Sequence, residues 1–485
     1  MVMSGSIKPD KGVYILERTL DWKQGLAIAL GVPLLILPSI GYFTSYVWGF
    51  SIIIWILSIT QGFIQNFAYG ELASRYPEAS GLPGFVQVIF KGNTDNEYCA
   101  SKFIGGFSAW GYWFAWNPVL AIYSILIGTY LHGLIPAFNN VPVYFLSLAS
   151  GIVIFGFLIL INWKGVAGGA KLGYILAVFS ITPLMFISIS TFFTGSFHVG
   201  NITNYMLPLD WQWDSAHIII LLGLMAMAQW SACAWETAAI YAPEYKNPKK
   251  DIPKALFVCG IFCIFTFVVV QMACVGTLGV EAIIAEPYSP MLGLAQISLG
   301  DIGVLIAIPM LLASMVLIIQ TGLLGSSKAM QSMAQEGNLP QILGKSNIHN
   351  VPIVAMIIIS LFNLVLIGLG NPSTILAASA LGYSVANGIS LFAYFKASKT
   401  APQVKDDEYF KAPKGWKYLA LACGILNIPL YFIGITMINI LDFGLQSALI
   451  GLIVLLLYVP LWYYSKCEAR DRRIMDHQKN LGGSN

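Results

Sequence analysis

The sequence predicts an all-α integral membrane protein with twelve transmembrane helices, and three observations lead there. Hydrophobic residues make up 57% of the 485 and charged residues only 10%, a balance unlike that of soluble domains. Apolar runs of about 20 residues, enough to cross a bilayer, recur along the whole chain. The basic residues fall in alternate connections, as the enrichment of Lys and Arg in cytoplasmic loops leads one to expect.

The first six runs lie at 24–46, 48–69, 103–132, 142–161, 171–191 and 217–242. Six more follow at 254–278, 302–325, 352–370, 373–395, 417–440 and 445–465. With the amino terminus inside, all 26 Lys and Arg fall in the amino-terminal segment, the inner loops or the tail. The outer connections carry Asp210, Asp214, Glu281, Glu286, Asp301 and Asp442, with no basic residue among them. The expectation is a multi-pass protein of the cell membrane with both termini cytoplasmic. Its organisation reads as a cytoplasmic segment 1–23, a core 24–395, two further spans over 417–465 and a cytoplasmic tail 466–485. The core divides into spans one to five (24–191) and six to ten (217–395).

The segment 1–23 lacks the short apolar core and small-residue cleavage site of a signal peptide, so the first span is expected to direct insertion. Neither the seven cysteines nor the five histidines show metal-ligand spacing, and no metal or cofactor is implied. A net charge of +3 without a basic patch interleaved with aromatics gives no sign of a nucleic-acid partner. The lipid bilayer and a small-molecule substrate are the expected partners.

Irregular backbone at membrane depth is tolerated only where it lines a cavity or is buried in protein, so breaks in the spans are the places to search. In the first span, Gly31-Val32-Pro33-Leu34-Leu35 combines a permissive glycine with a proline that cannot donate a helical hydrogen bond. A simple proline kink would read the same way. In the sixth span, Ser231-Ala232-Cys233-Ala234 is a run of small residues between Trp230 and Trp235, and close helix packing would also use it. Paired interruptions at corresponding positions of two halves are the sequence pointer to a transporter site. Such breaks expose a helix dipole and unbonded backbone groups, which suit the two charged ends of an amino acid.

Just past the second break stands Glu236, the only carboxylate between Asp214 and Glu244. Intramembrane carboxylates are costly and functional by default, so Glu236 is a candidate for gating or proton coupling. The plain alternative is a buried glutamate that holds the sixth span to its neighbours.

Four segments in order resemble the amino acid–polyamine–organocation (APC) superfamily of transporters. They are Leu16-Glu-Arg-Thr-Leu20, Gly70-Glu-Leu-Ala-Ser-Arg75-Tyr-Pro77, Tyr241-Ala-Pro-Glu-Tyr-Lys-Asn247-Pro248 with the following Lys-Lys-Asp-Ile-Pro253, and Ser327-Lys through Gly337-Asn-Leu-Pro340. The resemblance implies the five-plus-five inverted repeat of the sodium-coupled leucine transporters, with two additional helices outside the core. It implies secondary transport of amino acids by alternating access, driven by protons or by exchange, and no enzymatic chemistry.

Trp230 is similar to the tryptophan that closes over substrate in the arginine–agmatine exchangers of this superfamily, and Glu236 to their proton-sensitive glutamate. Phe114-Ala-Trp-Asn117-Pro118 is similar to the segment whose asparagine shapes that pocket, although a lone Asn also serves as interhelical glue. Tyr112, Trp116, Gln320 and Tyr383 are weaker candidates, each readable as packing. Two departures matter. Pro33 stands where relatives have Gly-Ser-Gly or a close variant, which removes a donor for a carboxylate and opens the reading to amines and polyamines. Ser180 stands where proton-coupled relatives often carry a lysine. A nutrient sensor with the same pocket and no flux, or an intramembrane enzyme, are the remaining alternatives; the latter needs a partner constellation that the sequence does not offer.

Overall fold

A computed structural model describes residues 18, 20–29, 31–79, 81–91, 98–368, 370–399 and 409–482. Most of the amino-terminal segment, including three residues of the Leu16–Leu20 motif, and the last three residues of the tail lie outside them. Helices dominate, and the described residues form no strand beyond one isolated bridge between Leu20 and Tyr245.

Nine helical stretches among the described residues are long and apolar enough to cross a membrane. Three of the twelve expected runs do not stand as separate stretches of that length. The first span is cut into Trp22–Ala29, a 3-10 segment Val32–Ile36 and Ile40–Val47. The ninth, Ile353–Ile367, has 15 residues, which reach roughly 22 Å against a hydrocarbon core of about 30 Å. The last two runs form one stretch, Trp416–Arg472, which bends at Gly444 with φ 78.

The third span also departs from a single rod. It is built as Ala100–Trp116 and Val119–Leu134, with the chain bending at Asn117-Pro118 because Pro118 has no N–H to bond the preceding turn. The eighth span continues past its predicted end at 325 to Gln335, and within it the Ser326 and Ser327 hydroxyls bond back to the carbonyls of Gly322 and Leu323. After the second span, Ser51–Arg75, comes a short apolar helix, Gly81–Phe90, that the pattern of apolar runs does not reveal. Its ten residues are too few to span, and its first residue explains its placement. Gly81 has φ +61, and a Cβ there would stand 3.0 Å from the backbone of Ile240.

Contacts group the connections as their charges suggest. At one end, Tyr42 donates to Asp442 (2.5 Å), Tyr130 donates to the Tyr288 carbonyl (2.6 Å) and Gly41 abuts Pro287. At the other, Leu20 joins the backbone of Glu244 and Lys246, and Ser74 meets the Lys249 carbonyl at 3.2 Å. We call these the acidic and the basic end.

Candidate functional site

The first and sixth spans lie side by side and antiparallel. Leu20 N–H donates to the Glu244 carbonyl (3.0 Å) and Lys246 N–H to the Leu20 carbonyl (2.8 Å), whereas Ser39 Oγ meets Ser231 Oγ at 3.4 Å. The early part of one span therefore faces the late part of the other, and their interruptions face each other across the middle.

Gly31 opens the first interruption. Its flank abuts the eighth span: a Cβ would lie 2.9 Å from Thr321 Oγ1. Pro33 sits in the first turn of the 3-10 segment, where a missing N–H costs no hydrogen bond. Val32, Pro33, Leu34 and Leu35 are all buried. The Leu34 carbonyl faces the Tyr123 hydroxyl at 3.5 Å, and Ser39 Oγ donates to the Leu35 carbonyl at 3.2 Å.

The second interruption comes where the sequence placed it. The helix Ser215–Ala232 stops, Cys233 adopts φ −109 and ψ 4, and a 3-10 segment runs from Ala234 to Glu244. Trp230, in the last turn before the break, donates its indole N–H to the Ala115 carbonyl at 2.9 Å. The Cys233 thiol (3.3 Å) and the Gln229 amide both donate to the Ser58 carbonyl and so fix the break against the second span.

Glu236 is fully buried one turn beyond. Its Oε2 accepts a hydrogen bond from the Tyr383 hydroxyl at 3.1 Å, while Oε1 has no partner within bonding geometry. The Tyr112 hydroxyl lies beside the same carboxylate. Behind Tyr383, Asn387 Nδ2 donates to the Tyr383 carbonyl (3.1 Å) and Asn387 Oδ1 accepts from Tyr69 (2.6 Å). A polar layer thus crosses the second, third, sixth and tenth spans immediately beneath the two interruptions.

The other predicted residues fall in different places. Trp116 is buried next to the Tyr112 hydroxyl. Asn117 faces the ninth span, where its Oδ1 accepts from Asn363 Nδ2 at 2.9 Å; Asn363 Oδ1 in turn accepts from Ala121 N–H (3.0 Å), bracing the bend at Pro118. Ser180 bonds back to the Leu176 carbonyl of its own helix at 2.6 Å. Gln320 donates to the Gly169 carbonyl of the fifth span. Sequence reasoning missed Ser39, Tyr123, Thr321, Tyr69 and Asn387. Each is a polar atom in an apolar run, a signal present in the sequence, but only the fold shows which of many such residues converge.

A cavity of about 290 Å³ opens on the basic side of this layer, between the first, fifth, sixth and eighth spans. Gln24, Thr237, Tyr241, Gln320 and Thr321 line it, and Thr321 joins it to the flank of Gly31. At its rim, Lys328 Nζ pairs with Glu244 Oε1 at 3.1 Å, tying the eighth span to the sixth. Among the described residues, no group of three or more His, Cys, Asp or Glu is arranged to hold a metal ion.

Comparison with known proteins gives a consistent result. The family profile of the amino acid permeases matches residues 20–459. An uncharacterized amino acid permease, YecA of Bacillus subtilis (strain 168), is 25% identical over 347 residues, 68% of this chain and 72% of its own. The polyamine transporter RMV1 of Arabidopsis thaliana is 22% identical over 84% of this chain and 77% of its own. A crystal structure of a mutant of the Eremococcus coleocola manganese transporter superposes with a TM-score of 0.58 at 12% identity, covering 94% of this chain and 98% of the other. At that identity the likeness concerns the fold.

Proposed function

The chain belongs to the amino acid permease family, and we propose that within it the protein is a secondary active transporter moving amino acids by alternating access. The family and its relatives are membrane transporters, and the many apolar helices make this a multi-pass membrane protein. The observation that carries the reading is the pair of antiparallel interruptions, at Gly31–Leu35 and Trp230–Ala234, facing each other above a buried carboxylate. The arrangement fits the inverted-repeat architecture implied by the sequence, with the first and sixth spans as equivalent members of its two halves and the twelve spans placing both termini in the cytoplasm.

In this reading the start of the 3-10 segment Val32–Ile36 turns its positive dipole end to a substrate carboxylate, and carbonyls freed at the sixth-span break receive the ammonium. Trp230 caps the substrate from the third-span side. Glu236, with Tyr112 and Tyr383, forms the layer that closes the site from the basic-end cavity. Protonation of Glu236 then couples to opening, and Glu244–Lys328 holds the outer rim of the same route. Asn117 acts through the bend at Pro118, and Gln320 through the cavity wall. Ser180 marks the absence of the lysine charge.

Polyamines and other amines are the second reading, favoured by Pro33, which supplies no N–H for a carboxylate, and by similarity to a polyamine transporter. Uptake into proteoliposomes with a mixed panel of amino acids and their decarboxylated amines, under separately imposed proton and sodium gradients, tests both. Competition by amines alone would exclude the carboxylate site. Binding without uptake of any panel member would exclude transport.

A further inference from the structure

A cavity of about 500 Å³ lies between the second and seventh spans and shares no lining residue with the cavity of the proposed substrate route. Its two ends differ in chemistry. Phe63, Phe67, Phe257 and Phe410 wall one part, with Phe67 and Phe257 meeting edge to face at 6.2 Å between centroids. Lys249, Lys250 and Lys254 stand at the other, where the seventh span begins. Lys250 and Lys254 are exposed, and Lys254 Nζ rests 4.1 Å from the ring centroid of Trp22 in the first span. From Lys250 to Phe257 is two turns of helix, roughly 10 Å. Gly70 lines the cavity between Phe410 and Pro253.

We propose that this cavity binds one anionic phospholipid, its phosphate between Lys250 and Lys254 and an acyl chain along Phe63, Phe67 and Phe257. Charge complementarity selects the headgroup. The aromatic wall excludes a fully hydrated anion from the deeper part, and the amphipathic depth of two turns matches a molecule charged at one end and apolar beyond it. The site touches functional elements on two sides. Phe63 packs on Trp235 (5.6 Å), the neighbour of Glu236, and a phosphate at Lys254 competes with its contact to Trp22. Occupancy therefore bears on both interrupted spans without entering the substrate route.

The test uses the purified full-length chain, stripped of lipid in detergent, and native mass spectrometry with phosphatidylglycerol and phosphatidylcholine of matched acyl chains. One phosphatidylglycerol binds at least about tenfold more tightly than phosphatidylcholine, and K250Q/K254Q abolishes that preference. K414Q/K417Q, at the same end but outside the cavity, keeps it. Phe257→Ser leaves the charges and weakens binding of both lipids. Equal affinity of the wild-type chain for the two lipids overturns the proposal without any variant being needed. So does a preference that survives K250Q/K254Q, one that is lost equally in K414Q/K417Q, or full displacement by inorganic phosphate. Binding is read without transport, so a failed uptake assay leaves this result standing on its own.

Discussion

Replacing Glu236 by Gln and by Ala separates the two roles a buried carboxylate can have. Gln has nearly the same volume and keeps a carbonyl oxygen where Oε2 accepts from Tyr383 at 3.1 Å. Its amide can occupy the place of Oε1, which has no bonding partner, beside the Tyr112 hydroxyl, a competent acceptor. Stability of Glu236→Gln should stay within about 1 kcal/mol of the parent. Ala removes the acceptor, strands the Tyr383 hydroxyl at about 1–3 kcal/mol, and leaves a cavity besides, for a total of about 2–5 kcal/mol. The thermal unfolding midpoint should fall clearly for Ala and little for Gln. Initial uptake into proteoliposomes, followed between about pH 5 and 8, should depend on pH in the parent and lose that dependence in Glu236→Gln. A Gln variant with the parent's pH profile refutes proton coupling at this residue and returns Glu236 to the role of a structural tie.

Three further outcomes follow from the same geometry. Tyr383→Phe deletes the hydroxyl bonded to the carboxylate, a contact worth about 1.5–3 kcal/mol that breaks on opening toward the basic end, so thiol-reagent labelling of a cysteine placed at Thr321 from that side should rise roughly tenfold to a hundredfold while the chain stays folded; parent-like labelling removes Tyr383 from the gating layer. Breaking Glu244–Lys328 by K328Q should increase labelling of a cysteine placed at Thr321 by a membrane-impermeant thiol reagent from the basic side, and E244Q/K328Q should label no more than either single variant. Additive increases would mean the two residues act separately. Gly223→Val would place a Cβ 2.5 Å from the Gly434 carbonyl oxygen, between two backbones that cannot give way, and should lower the unfolding free energy by about 1–3 kcal/mol; an unchanged melting midpoint would show that the sixth and eleventh spans are less tightly packed than drawn.

The parts of this fold that depend on local chemistry were legible. Apolar runs anticipated the long apolar helices, nine of which are long enough to cross a membrane among the described residues, Gly31 with Pro33 marked one interruption, and the small residues after Trp230 marked the other. Boundaries were missed where tertiary contacts override composition. The eighth span runs on to Gln335 through polar residues that the apolar pattern does not count, and Gly81–Phe90 exists because a positive-φ glycine lets it pack against Ile240. Convergence across spans was the harder part. Tyr123 sits in a 16-residue apolar helix and reads as packing until the Leu34 carbonyl is found opposite it. Tyr383 was a weak candidate for the same reason, 147 positions from the carboxylate it touches. Asn117 shows the reverse case, since its nearest polar partner is Asn363 on the ninth span.

In the alternating access proposed above, some helix contacts persist while others break, and the hydrogen bonds offer a division of that kind. Gln271 of the seventh span bonds Thr44 (2.9 Å) and Ser51 (3.0 Å) and accepts from Trp55 (3.2 Å), which unites the first, second and seventh spans in a buried cluster. Gln229 and Cys233 add the sixth span through the Ser58 carbonyl. At the basic end, backbone bonds through Leu20 fasten the beginning of the first span to the end of the sixth, so these two segments move together. The four spans then form one body. Its ties to the remaining helices include neutral ones, such as Trp230 to the Ala115 carbonyl, Tyr69 to Asn387 and Tyr431 to Gln61, and four that end on carboxylates: Glu236 to Tyr383, Glu244 to Lys328, Glu71 to Tyr394, and Asp442 to Tyr42 and Tyr46. Of the four carboxylate ties, three lie toward the basic end and one, at Asp442, toward the acidic end. In the proposed mechanism, opening toward the basic end breaks Glu236–Tyr383 and Glu244–Lys328 while Asp442 keeps its two tyrosines, and opening toward the acidic end does the opposite. On that proposal, a proton or a substrate ammonium at Glu236 changes the strength of the Tyr383 tie and leaves the Asp442 ties alone, so a single buried carboxylate would bias which way the body tilts.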